Sequence, residues 1–74
     1  MKFLVVYDYG QGGIWAFVIA EAPDEVKSRY PELDVIERRP DWMTSEIEVG
    51  LDTYDLEDVP TGLLRDLLNQ RSPA

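Results

Sequence analysis

The sequence predicts a small α+β domain: an antiparallel sheet that opens with an N-terminal β-hairpin, element order ββαββα, two helices packed on one face. Three observations carry this reading. Two runs rich in β-branched and aromatic residues, Phe3-Leu4-Val5-Val6-Tyr7 and Ile14-Trp15-Ala16-Phe17-Val18-Ile19, flank the glycine-rich Gly10-Gln11-Gly12-Gly13, which is a hairpin signature. A proline-bounded segment and a later leucine stripe have helical spacing. A chain of 74 residues has room for one domain, residues 1–74, and a domain of this size buries only about 60% of the surface its unfolded chain exposes.

The glycines come first. A phosphate-cradling loop needs a helix whose first N–H groups point at the anion. Residues 14–19 start a helix poorly, because several of their side chains lose χ1 freedom there. No Lys-Ser/Thr pair follows the glycines, and the GxGxxG spacing is missing. The glycines therefore read as a tight turn that uses positive φ. With a two- or four-residue loop, the hairpin pairs Tyr9 with Ile14, Tyr7 with Ala16, Val5 with Val18 and Phe3 with Ala20. One face then carries Phe3, Val5, Tyr7, Tyr9, Ile14 and Val18. The other carries Leu4, Val6, Trp15, Phe17 and Ile19, with Asp8 opposite Trp15. A half-solvated hairpin alternates apolar and polar residues, so two apolar faces predict cover on both sides: the chain's own helices on one, a partner chain as a candidate for the other.

The remaining elements follow in order. Residues 21–31 read as a short helix, with Pro23 in its first turn, Asp24 and Glu25 at the positive end of its dipole, and Pro31 as its stop. Val26 and Tyr30, at i and i+4, form its buried edge. Residues 33–38 predict a third strand. Residues 39–58 carry two conflicting signals. Ser45 and Glu48 have capping-box spacing ahead of Gly50, which predicts a short helix. Ile47, Val49, Leu51 and Thr53 alternate with polar residues, which predicts a half-buried strand. The favoured expectation is a brief helical turn near 41–45, then a strand reaching about Leu56. Residues 60–70 predict a closing helix whose stripe of Leu63, Leu64, Leu67 and Leu68 docks on the sheet.

Composition narrows the chemistry. Hydrophobic residues make up 45% and charged residues 30%, which argues against disorder. The chain has no cysteine and no histidine, so it lacks thiolate sites and the usual general base near neutral pH. A net charge of -8 repels a phosphate backbone and disfavours nucleic-acid binding. No apolar stretch approaches the roughly 20 residues of a membrane span, and no basic segment precedes a long apolar run, so no membrane partner and a cytoplasmic location are expected.

Two sets of residues stand out as candidate sites. The acidic run Asp52-Thr53-Tyr54-Asp55-Leu56-Glu57-Asp58 offers Asp55, Glu57 and Asp58 as weak candidates for a hard cation. The EF-hand glycine and downstream glutamate are missing, however, and acids before a helix are favoured by its dipole alone. No cofactor is expected. Tyr9, Trp15, Arg38, Arg39 and Trp42 are of the types that dominate binding hot spots. Trp15 is expected to lean into the core, while Trp42 fits core or surface equally well.

The segments Tyr7-Asp8-Tyr9-Gly10-Gln11-Gly12-Gly13, Arg39-Pro40-Asp41-Trp42-Met43 and Tyr54-Asp55-Leu56-Glu57-Asp58 resemble a group of short, mostly uncharacterised bacterial proteins of actinobacterial type. The resemblance covers most of the chain. It implies a bacterial cytoplasmic protein and no particular activity.

The functional expectation is a noncatalytic protein-interaction or regulatory module that is not an enzyme. In its homodimeric form the face bearing Leu4, Val6, Phe17 and Ile19 meets its symmetry mate. One alternative is an acidic inhibitor or decoy of the antitoxin, immunity or nucleic-acid-mimic type, steered by its charge. Another is a carboxylate-dependent metal-binding enzyme.

Overall fold

The computed structural model describes residues 1–71. Its elements are β1 (Lys2–Asp8), β2 (Gly13–Ile19), α1 (Pro23–Arg29), β3 (Leu33–Ile36), α2 (Ser45–Val49), β4 (Thr53–Asp55) and α3 (Gly62–Arg71). The fold is α+β in the order ββαββα, with the five-residue α2 added between β3 and β4. The four strands form one sheet in the order β3-β1-β2-β4.

The hairpin forms where the sequence predicts it, with a different register. Tyr7 pairs with Ile14, Val6 with Trp15, Val5 with Ala16 and Phe3 with Val18. Each expected partner, including Trp15 for Asp8, is displaced by two residues, and Asp8 faces Gly13 instead. The turn itself explains the shift. Gly10 and Gly12 hold positive φ of 94° and 150°, the Gly10 N–H donates to Asp8 Oδ1 at 2.8 Å, and the Tyr9 N–H donates to the Gly12 carbonyl at 3.2 Å. Gly13 belongs to the strand, where a Cβ would lie 2.7 Å from Val6 Cγ2. The third glycine thus answers a close packing contact, not the turn. Because side chains alternate with period two, a shift by two leaves the two faces as expected.

On the first face Val5, Ala16 and Val18 meet Val26 from α1, Tyr30 at its C-terminal cap, and Leu63, Leu64 and Leu67 from α3, with Leu33 and Leu56 completing the core. The i, i+4 edge of α1 and the leucine stripe of α3 therefore do what their spacing predicts. Pro23 opens α1 at its first turn, with Asp24 and Glu25 beside it.

Three expectations need correction. The sheet is mixed, because β4 lies parallel to β2 while β1 is antiparallel to both β2 and β3. β3 and β4 are opposite edges, so residues 37–52 cross the whole sheet, three strand spacings or about 14 Å. A crossover of that length can deliver a parallel strand, which a tight turn cannot. Second, the third strand ends at Ile36 and not at Arg38. Third, residues 45–49 are helix, not strand. Thr44 caps α2, its Oγ1 accepting the Ile47 N–H at 3.4 Å, and Gly50 closes it through its N–H to the Ile47 carbonyl at 3.1 Å. Local hydrogen bonds of a capped turn prevail over the alternating pattern, and the cost is visible: Val49 is 87% exposed. β4 is left with Thr53–Asp55 alone. Among the described residues no helix is long and apolar enough to cross a membrane.

Candidate interaction surface

The second face of the sheet brings together three of the five expected hot-spot residues, Trp15, Arg39 and Trp42. In rows across the strands, Asp34 pairs with Val6 and Val6 with Trp15. The next row holds Ile36, Leu4, Phe17 and Thr53. Leu4 and Met43 are buried yet lie outside the helix-side core. Met43 anchors the crossing segment, whose turn is closed by its own N–H to the Pro40 carbonyl at 3.0 Å. Next to that anchor, Trp42 packs on Trp15 with ring centroids 5.2 Å apart and planes at 82°, an edge-to-face geometry that aromatic quadrupoles favour. The contact fixes the crossing segment to the second face.

Trp15 is half-buried beneath this arrangement, whereas Trp42 remains 54% exposed. Arg39 extends the site by donating from Nη1 to Glu48 Oε2 at 2.9 Å, a bridge within the crossing segment from its start to α2. The ammonium of Lys2 stands 4.4 Å over the Phe17 ring. The other two expected members are elsewhere or unattached. Tyr9 packs against Tyr7 at 6.5 Å, and the Tyr7 hydroxyl donates to Gln70 on α3 at 3.2 Å, so Tyr9 keeps company with the helix side. Arg38 is exposed at the start of the crossing segment, and no ring contact joins it to either tryptophan.

The expected dimer face is partly covered by the chain itself. Leu4 is only 8% exposed, Val6 and Phe17 are half-buried, and Ile19 is 38% exposed. The acidic run does not assemble: among the described residues no three acidic side chains converge with metal-binding geometry. Asp55 instead closes its own loop, Oδ1 accepting the Glu57 N–H at 3.0 Å and its carbonyl accepting the Asp58 N–H.

Sequence reasoning puts Asp8 on this face, although opposite Trp15 and not Gly13, and misses Asp34. Both line the same groove as Val6, Gly13 and Trp15. The signal that finds Asp34 is strand register, since it lies one strand beyond Val6 in the row of Trp15. No family model, curated protein or solved structure matches this chain.

Proposed function

We propose that this chain is a noncatalytic protein-interaction module whose contact surface is centred on Trp15 and Trp42. One observation carries the reading: a tryptophan pair, half of Trp42 open to solvent, held on a sheet face by a buried methionine anchor. Hot spots combine rigid aromatic area with a fixed position, and this pair has both. The regulatory role, the cytoplasmic setting and the absence of catalysis belong to the same proposal.

Its homodimeric form uses Ile19, Val6 and Phe17 beside the tryptophans, with Leu4 withdrawn into the chain's own packing. Sedimentation across a hundredfold concentration range tests that form, and a monomer throughout refutes it. The general proposal is tested by quantitative capture from an actinobacterial lysate, the source that the resemblance suggests. The control is a Trp42→Ala, Arg39→Ala double variant of proven fold. A stoichiometric partner lost with the variant supports the proposal, and capture that is indifferent to the variant overturns it.

A further inference from the structure

The groove beside Trp15 points to the chemistry of the partner. Building on the interaction surface proposed above, we infer that it receives a lysine- or arginine-bearing segment of another protein, with Asp8, Asp34 and the Trp15 ring as the recognition elements.

The groove has a volume of about 430 Å³ and is lined by Val6, Asp8, Gly13, Trp15 and Asp34, among others, with no basic residue in its lining. Asp8 lies one row beyond Val6 on β1, and Asp34 lies beside Val6 on β3. Strand geometry places their Cα atoms about 8 Å apart, so one cation lying over Val6 reaches both carboxylates. Each carboxylate has capacity to spare. Asp8 commits Oδ1 to the Gly10 N–H. Asp34 meets Lys27 through Oδ1 at 3.6 Å, and its side chain is still 66% exposed. Lys27 itself donates to the Leu33 carbonyl at 2.9 Å, so its ammonium is shared.

The indole supplies the third element. Its electron-rich face attracts an ammonium or guanidinium, and its N–H has no acceptor among the described residues, which leaves it free to donate to a backbone carbonyl of an incoming segment. Gly13 keeps the wall low: a Cβ there would lie 3.4 Å from Trp15 Nε1. The whole molecule carries 15 acidic against 7 basic side chains, so a basic segment is drawn in by the long-range field before it meets the groove. A charge-neutral or acidic partner would strand Asp8 at the interface without a counterion and leave Asp34 only the long contact to Lys27.

The test uses the full chain labelled with nitrogen-15 and an acetylated, amidated tetralysine peptide as probe. Titration at low salt is expected to move the Trp15 indole N–H resonance, with affinity falling steeply as salt rises. An Asp8→Asn, Asp34→Asn variant keeps the turn acceptor at residue 8 and removes both charges. It is expected to weaken binding roughly tenfold, the sum of two exposed ion pairs. A Glu21→Gln, Glu57→Gln variant removes the same charge from a different cleft and is expected to weaken it less than threefold. Equal loss in the two variants, or an unmoved Trp15 resonance, overturns the inference. Spermine binding as tightly as tetralysine overturns it too, since a polyamine offers no carbonyl to the indole. A lysate partner that depends on Trp42 yet ignores salt would leave the interaction module standing and refute only its basic occupant.

Discussion

Replacing Gly62 by alanine separates what the sequence suggests from what the structure dictates, because the two give opposite signs. Gly62 is the first residue of α3, and a glycine in a helix is ordinarily about 0.5–1 kcal/mol less favourable than alanine. From sequence, Gly62→Ala therefore stabilises. In the structure Gly62 has φ of 52°, a left-handed conformation that costs an L-residue about 1–2 kcal/mol. A Cβ there would also stand 2.5 Å from the Tyr54 hydroxyl. That hydroxyl accepts the Leu63 N–H at 3.2 Å, one of the otherwise unpaired donors at the start of α3. Pushing the ring aside forfeits a bond worth about 1 kcal/mol. The total is about 2–3 kcal/mol of destabilisation, against the roughly 4–11 kcal/mol expected of a chain this size. At about 4–8 °C per kcal/mol for a small domain, the midpoint of thermal unfolding by circular dichroism falls roughly 10–20 °C. An unchanged or raised midpoint refutes the reasoning. The steric part has its own check: in a Tyr54→Phe background the hydroxyl is gone, so Gly62→Ala costs less than in the native chain. Strict additivity of the two substitutions would show that the contact does not matter.

Three further outcomes follow from the same geometry. Leu67→Ala empties a fully buried position in the helix-side core and costs about 2–5 kcal/mol, a large share of the stability expected of this chain; a urea midpoint near native would refute the placement of α3. Arg39→Ala removes an ion pair whose side chains are 51% and 30% exposed, so it shifts stability by no more than about 1 kcal/mol in chemical denaturation, and a larger loss would mean that the bridge holds the crossing segment in place. Trp42→Ala uncovers Trp15, so the remaining tryptophan emission shifts to longer wavelength while far-ultraviolet circular dichroism is unchanged; an unshifted emission would place the two rings apart.

Much of the fold was legible because its signals are local. Pro23, Asp24 and Glu25 mark the start of α1 within one turn, Leu63, Leu64 and Leu67 repeat at helical spacing, and the two β-rich runs flank their turn directly. Residues 45–51 depart from the expectation because two local signals compete there. The alternation of Ile47, Val49 and Leu51 is a pattern of side chains alone, whereas the Thr44 cap satisfies a backbone donor, the Ile47 N–H. The candidate site is half visible: Trp15, Trp42 and Arg39 declare themselves by residue type and Asp8 falls on their face by alternation, while Asp34 is an ordinary surface acid until the pairing of β3 with β1 sets it in the row of Trp15.

The sequence by itself determined which residues share a strand face or a helix stripe, since stereochemistry within a few residues imposes periods of 2 and 3.6. Only the tertiary structure decided the two-residue register of the hairpin, the parallel docking of β4 on β2, and the passage of residues 37–52 over the second face. Those choices rest on contacts between residues far apart in the chain, such as Trp42 on Trp15 and Tyr54 under Gly62. Their free energy comes from close packing, which no local pattern encodes.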